Sequence, residues 1–261
     1  MRFFRDLVAP VVISRRTLVL CYHNIERDVV TPSNKFSVTL GSFKAQLAII
    51  HDLGFSFVAI DEIAEMHDKT DNKLRCSICF DDCDLGTIEG ASVLARYSGR
   101  ATYYAIADRI PTYASKLSSH PHLDATALRN LSQAGHEIGS HSVTHRNLST
   151  LADSDVLNEA RLSKSILSDV IGRDVTSFCY PFGRYNIATP RLIESAGYRN
   201  ASALLGPKLD PERPLFEINR SVVQARDTIN RFMIKLMHCG QRTNPISLGL
   251  DILRSSLRQR S

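Results

Sequence analysis

The chain has 261 residues, of which 43% are hydrophobic, so it can bury a large core, and α/β barrels of this size commonly form one domain. The formal net charge is only +5, and the lysines and arginines do not gather into the basic stripe of nucleic-acid-binding proteins. We therefore expect one globular domain with no nucleic acid partner, while an anionic or lipid surface stays open as a partner.

The N-terminus lacks the uninterrupted apolar stretch that a secretory signal or a membrane span requires. Asp6 and Pro10 interrupt the apolar residues between Met1 and Ile13, and Arg15 and Arg16 follow. We expect a cytoplasmic protein made of an N-terminal segment (1–16), a barrel domain (17–240) and a basic tail (241–261). The tail has leucines at helical spacing beside arginines, a pattern that predicts either docking on the barrel, disorder, or peripheral contact with the inner face of the membrane.

Strand-like and helix-like segments alternate along the chain, as in parallel βα units. The predicted strands are 17–22, 55–60, 74–80, 101–106, 136–140, 176–180, 200–204 and 215–218. The predicted helices are 40–53, 88–97, 125–134, 153–171, 187–196 and 227–237. This count predicts an α/β fold, a single-domain irregular (β/α) barrel of seven or eight strands that is similar to a TIM barrel.

The six cysteines agree with a reducing compartment. Cys76 and Cys79 are spaced like a metal or redox pair, but residues three apart on a strand point to opposite faces. We therefore interpret both as small buried hydrophobic residues rather than as ligands of one ion.

Six candidate site residues follow the carboxyl ends of predicted strands, at the rim on which barrel active sites are built. The residues in these positions are His23, Asp81, Asp82, His141, Pro181 and Arg220. Because barrel strands are parallel, side chains from several loops meet at this rim, so their shared placement carries more weight than any one motif.

Two of these positions predict a metal site. His141 and His145 are four residues apart, so on a helical turn they share one face and can converge on an ion. Asp82 would be the third ligand, and Asp81, on the opposite side of an extended backbone, would take a proton from water. The alternative is a turn or helix cap at Asp81 and Asp82 and two surface histidines. The ligand types suit Zn²⁺ best, with Co²⁺, Ni²⁺ or Fe²⁺ as alternatives.

Three segments resemble the motifs of the polysaccharide deacetylases of the nodulation-protein type, carbohydrate esterase family four. They are Cys79-Phe80-Asp81-Asp82-Cys83, His141-Ser142-Val143-Thr144-His145 and Tyr180-Pro181-Phe182-Gly183. The resemblance runs over about residues 17–237 and implies a metal-dependent N-deacetylase, with Asp82, His141 and His145 as ligands and Asp81 as base. It further implies that Ser142 braces the histidine loop and that the backbone N–H of Phe182 stabilises the oxyanion.

The chain departs from the family pattern at several positions. Cys83 replaces the glycine of the first motif, and Cys179 stands where many members have the arginine that holds the base carboxylate. Arg220 is a candidate to replace that arginine. The aromatic fourth motif is not recognisable, because the chain has no tryptophan.

Two histidines are candidates for the general acid. Leu236-Met237-His238 matches the fifth family motif formally, but it lies near the end of a predicted helix, where a cation also suits the helix dipole. His23, in Tyr22-His23-Asn24, resembles the branch in which a Tyr-His after the first strand supplies the acid. We favour His23, because it follows the first strand on the predicted catalytic rim, and histidine is a side chain suited to protonate a leaving amine.

The predicted reaction is hydrolysis of an N-acetylated amino sugar or glycan to a free amine and acetate. A cytoplasmic location favours a nucleotide-linked or lipid-linked intermediate, whose phosphate a mildly basic chain attracts. Two alternatives remain: a barrel that binds saccharide without turnover, and a metal hydrolase acting on another bond, such as a formamide or an O-acetyl ester. The sequence leaves the sugar, its carrier and the oligomeric state open.

Overall fold

A computed structural model describes residues 16–27, 32–67, 71–110, 122–204, 209–210 and 212–239. Nearly all of the predicted N-terminal segment and the whole basic tail lie outside these residues. Ten strands are described: β1 Thr17–Tyr22, β2 Asn24–Glu26, β3 Ser37–Thr39, β4 Ser56–Val58, β5 Arg75–Asp82, β6 Thr102–Ala105, β7 Glu137–Ser140, β8 Ser177–Cys179, β9 Asn200–Leu204 and β10 Ile218–Val222.

Seven helices accompany these strands in the described part of the chain. They are α1 Leu40–Asp52, α2 Ile60–Glu65, α3 Thr87–Leu94, α4 Ala125–Gln133, α5 Asp153–Ile171, α6 Thr189–Ser195 and α7 Ile229–His238. Local sequence explains several of their ends. The Thr39 hydroxyl accepts a hydrogen bond from the Ser42 N–H at the start of α1, and Gly172 ends α5 in the left-handed conformation that glycine adopts without strain.

The strands form a closed parallel barrel. Its seven strands follow the order β1-β10-β9-β8-β7-β6-β5, and β1 pairs with β5 to close the ring. The short β4 pairs with the first residues of β5, next to the position where β6 pairs with its last residues. The predicted irregular (β/α) barrel is therefore confirmed, with seven strands in the ring and β4 beside it.

Two local predictions were wrong, and one strand pair was not predicted. The predicted strand 215–218 is a 3₁₀ turn, Pro214–Phe216, and the strand begins at Ile218, because Pro214 favours the first turn of a helix. The predicted strand 55–60 stops at Val58, since the Glu62 side chain accepts a hydrogen bond from the Ala59 N–H at the start of α2. The short parallel pair β2 and β3 was not predicted.

The barrel encloses a small apolar cluster, separate from the large core between the strands and the outer helices. The cluster consists of Val19, Ile60, Cys79, Tyr104 and Cys179. Cys79 lies in this interior cluster, whereas Cys76 lies in the outer core, so the two thiols face opposite sides of β5. All six cysteines are buried, and no two of them form a disulfide.

Glu137 is a buried carboxyl group at the first residue of β7. Its oxygens accept hydrogen bonds from the Thr102 hydroxyl at 2.6 Å, from the Asp61 N–H at 3.1 Å and from the Ser177 hydroxyl. Burial raises the pKa of Glu137 to about 7, and the nearby Asp61 carboxylate adds to this effect. The folded chain therefore binds a proton at Glu137 more readily than the unfolded chain does.

We predict that Glu137→Gln removes the loss of stability that ionisation of Glu137 causes as pH rises. A raised pKa stabilises the fold below about pH 4.5, and this contribution disappears as pH rises to about 7. The free energy of unfolding of the variant, relative to wild type, should rise by about 3 kcal/mol between pH 4 and pH 8. Urea titrations at the two pH values measure this difference, with the exposed Glu65→Gln as control. A difference that does not change with pH would contradict the prediction.

Within the described ranges, no helix combines the length and the apolarity needed to cross a bilayer.

Candidate active site

Three predicted ligands converge at the carboxyl ends of the strands. Asp82 is the last residue of β5, and His141 and His145 lie in the loop after β7. Asp82 Oδ1 lies 3.8 Å from His141 Nε2 and 3.4 Å from His145 Nε2. The two imidazole rings meet edge to face, with 4.7 Å between their centroids. The backbone from His141 to His145 is an irregular loop and not the helical turn that the spacing predicted.

The imidazole of His141 is oriented by the backbone of β8. Its Nδ1 donates to the carbonyl oxygen of Cys179 at 2.9 Å, so Nε2 keeps its lone pair and faces Asp82. Burial lowers the pKa of His141 to about 3 and that of His145 to about 4, and in His145 the Arg109 charge adds to this effect. Both imidazoles are therefore neutral at pH 7, the form that binds metals.

The histidine loop is held by two further side chains. The Ser142 hydroxyl accepts a hydrogen bond from the His145 N–H at 3.0 Å, as the family resemblance implied. The buried Glu159 on α5 accepts hydrogen bonds from the N–H groups of Val143 and Thr144, at 2.8 and 2.9 Å. The sequence analysis missed Glu159, although a glutamate on the apolar face of α5 could have indicated a buried acceptor.

Asp82 has the features of a cation ligand. Its Oδ1 is buried and has no hydrogen-bond partner among the described residues, although it faces two neutral histidines. Burial raises the pKa of Asp82, and the charges of Asp81 and Asp84 add to this effect. A divalent cation at this point would satisfy the oxygen and favour the ionised carboxylate, so one carboxylate and two imidazoles fit such an ion.

Asp81 forms a buried ion pair with Arg220. Arg220 Nη1 lies 2.6 Å from Oδ1, and Nη2 lies 2.9 Å from Oδ2. Burial by itself would raise the pKa of Asp81, but the Arg220 charge outweighs it and holds the pKa well below the usual range. Arg220, the predicted candidate to replace the motif arginine, is thus a direct partner of Asp81. The sequence predicted Arg220 just beyond the end of a strand, but it lies within β10.

Both carboxylates approach the same histidine. Asp81 Oδ2 lies 3.9 Å from His141 Nε2, almost as close as Asp82 Oδ1. The expectation that strand alternation separates the two carboxylates fails because Asp82 has φ 64°, which ends the extended backbone. Alternation applies only while the chain stays extended.

Left-handed backbone conformations concentrate at this rim. Of seven non-glycine residues with positive φ in the described ranges, five lie here: Asp82, Cys83, Ser142, His145 and Phe182. Such conformations cost energy and persist where the surrounding structure enforces them, which is typical of functional sites. Cys83, which stands where the family motif has glycine, has φ 56°, a left-handed conformation that glycine adopts without strain.

Of the remaining predicted site residues, Phe182 and His23 lie at the rim and His238 does not. Phe182 lies at the rim, and its ring contacts His145 with 4.6 Å between centroids. His23 also lies at the rim, where a ring nitrogen comes within 4.8 Å of an Asp81 carboxylate oxygen and the ring stacks on Phe36. His238 ends α7, and the next residue, Cys239, contacts the backbone of Val19 at 3.2 Å, in the first half of β1. His238 is thus placed toward the opposite end of the barrel.

Comparisons with known sequences agree with this geometry. A family profile described as Polysaccharide deacetylase matches residues 68–201, slightly more than half of the chain. The Bacillus subtilis protein YxkH, provisionally named a polysaccharide deacetylase, is 28% identical over 184 residues, which cover 69% of this chain and 62% of that protein. The Azorhizobium caulinodans chitooligosaccharide deacetylase is 28% identical over 162 residues, which cover 60% of this chain and 71% of that protein.

Solved structures share the fold. The Streptococcus pyogenes deacetylase PplD, in complex with acetate, superposes with a TM-score of 0.71 at 19% identity, covering 87% of this chain and 98% of that one. IcaB from Ammonifex degensii superposes with a TM-score of 0.69 at 18% identity, covering 85% of this chain and 97% of that one. At these identities the likeness shows a common barrel.

Proposed function

The chain belongs to the polysaccharide deacetylase family, and on that premise we propose that it is a metal-dependent hydrolase that removes the N-acetyl group from an N-acetylated amino sugar or glycan. The observation that carries the proposal is the convergence of Asp82, His141 and His145 beside the buried pair of Asp81 and Arg220. Such hydrolysis needs neutral imidazoles, a carboxylate oxygen with no hydrogen-bond partner among the described residues, and a second carboxylate nearby. The Asp81 carboxylate, 3.9 Å from His141 Nε2, is this second group.

In this proposal Asp82, His141 and His145 hold a divalent cation. When bound there, the ion supplies a Lewis acid that polarises the acetamide carbonyl and acidifies water. Zn²⁺ is favoured, because histidine and carboxylate ligands in a set of three leave a coordination position open, as in catalytic zinc sites.

Asp81 acts as the proton acceptor. Its carboxylate stays ionised because Arg220 holds its pKa low, and its Oδ2 lies 3.9 Å from His141 Nε2, so it borders the place proposed for the ion. As the water oxygen attacks the carbonyl carbon, its proton passes to Oδ2. Arg220 thus keeps Oδ2 ionised, the form in which a carboxylate can accept a proton.

His23 supplies a proton to the departing amine, which completes the reaction. The C–N bond breaks, the nitrogen leaves as the free amine of the sugar, and acetate remains. The backbone N–H of Phe182 stabilises the negative charge on the carbonyl oxygen. Support for these roles comes from the position of both residues at the rim, within reach of Asp81 and His145 respectively.

The metal ligands give the first test. Purified wild type should hold about one divalent ion per chain and release acetate from N-acetylated glycans. His141→Ala and Asp82→Ala should lose the ion and the activity together, because two ligands hold the ion weakly. Metal analysis and an acetate assay measure both quantities, and His51→Ala serves as a histidine control outside the site.

Product analysis of the wild type separates the alternative functions. Mass spectrometry after incubation with chitooligosaccharides, nucleotide sugars and lipid-linked sugars would identify the substrate by the loss of one acetyl mass. Release of formate alone would replace the proposal with a deformylase, and glycan binding without any release would replace it with a saccharide-binding barrel. The cytoplasmic location and any contact with a membrane or a lipid carrier stay predictions.

A further inference from the structure

We propose that Cys21 and Cys179 are positioning residues that hold the Asp81 carboxylate with Oδ2 toward His141. This inference rests on the function proposed above, in which Asp81 accepts a proton. Both thiols lie in the barrel interior at the ends of their strands, Cys21 in β1 and Cys179 in β8, and both are fully buried.

The two oxygens of Asp81 have different surroundings. Oδ1 is held by Arg220 Nη1 at 2.6 Å. Oδ2 accepts hydrogen bonds from Arg220 Nη2 at 2.9 Å and from the thiols of Cys21 at 3.3 Å and Cys179 at 3.7 Å. The same oxygen faces His141. The thiols therefore surround the oxygen to which the proton is assigned. Rotation of the carboxylate would break three contacts at once.

Cys179 also connects Asp81 to two other parts of the site. Its sulfur accepts a hydrogen bond from Arg220 Nη2 at 2.9 Å, and its carbonyl oxygen accepts one from His141 Nδ1 at 2.9 Å. One residue thus touches the carboxylate, the guanidinium that neutralises it and a proposed metal ligand. A shift of β8 would move all three together.

The thiols act as weak donors. Each thiol sulfur lies within hydrogen-bond distance of Oδ2, at 3.3 Å for Cys21 and 3.7 Å for Cys179, so each S–H can donate to that oxygen. An S–H group is a weak hydrogen-bond donor, so it fixes the direction of the carboxylate while leaving negative charge on the oxygen. A second arginine at position 179 would withdraw more of that charge. One guanidinium and two thiols hold Asp81 in this chain, where many relatives are expected to use the motif arginine.

Alanine and serine variants test this role. Cys21→Ala and Cys179→Ala should each lower kcat for acetate release by about three- to tenfold, the worth of one hydrogen bond, with KM and bound metal unchanged. Cys21→Ser and Cys179→Ser keep a donor and should recover most of the lost kcat. Cys76→Ala is the matched control, because Cys76 is equally buried in β5 but faces the outer core.

The outcomes are distinct. If wild type releases no acetate from any N-acetylated glycan, the proposed function fails. If wild type is active and both alanine variants keep its kcat, or if they fall no further than Cys76→Ala, the thiols only fill space and this inference is overturned. Serine variants as impaired as the alanine variants, with native thermal unfolding and full metal content, would overturn it as well.

Discussion

Asp81→Asn is expected to lower kcat for acetate release by about 10²- to 10⁴-fold while the protein keeps its metal. Asparagine has nearly the same shape as aspartate but cannot accept a proton, so the water loses its base. The three proposed ligands, Asp82, His141 and His145, are unchanged. Acetate release, metal content and thermal unfolding should be measured on the same preparation.

Asp84→Asn is the control for this substitution. Its carboxylate lies two residues from Asp82 and faces His122 at 3.4 Å instead of Arg220. Activity close to that of wild type is expected for this variant. If Asp81→Asn were as active as Asp84→Asn, Asp81 would not be the base, and the proposed proton transfer would need another acceptor.

Arg220→Met is expected to destabilise the fold by about 3–5 kcal/mol and to abolish activity. Arg220 is 1% exposed and Asp81 is 4% exposed, so the substitution leaves a carboxylate buried without its counterion. Asp81 would then take up a proton, because burial raises its pKa once the Arg220 charge is removed. Urea unfolding at pH 7 measures the loss of stability.

A double variant identifies the cause of this loss. Asp81→Asn combined with Arg220→Met removes the orphaned charge and should recover much of the stability, so the two substitutions would be strongly non-additive. Arg27→Met is the control, because its ion pair with Glu89 is exposed to solvent and should matter far less. Additive losses in the double variant would show that Arg220 stabilises the barrel by packing and not by pairing with Asp81.

The sequence was sufficient to predict the order of elements and the three residues of the proposed metal site. Periodicity predicted α5 with its observed bounds, because a long amphipathic helix has a strong local pattern and a glycine end. His141, His145 and Asp82 were identified because metal ligation requires particular residue types and because parallel strands end at one rim. Both signals are contained in short stretches of chain.

Short elements and backbone irregularities could not be predicted in this way. The parallel pair β2 and β3 has only three residues per strand, too few for a periodic signal. The left-handed conformation of Asp82 is imposed by its surroundings, since aspartate does not require it, and it brings Asp82 Oδ1 as close to His141 as Asp81 Oδ2. Propensity rules describe what a residue prefers and not what its neighbours enforce.

By itself, then, the sequence determined a parallel βα barrel and a proposed set of ligands for one divalent cation, because hydrophobic spacing and residue chemistry act locally. Tertiary structure alone decided which group neutralises Asp81, the proposed base. Arg220 lies 139 residues from Asp81, and the two meet only because β10 and β5 both pair with β1 in the closed barrel. Buried charges must find partners, but closure of the ring determines which partner is within reach.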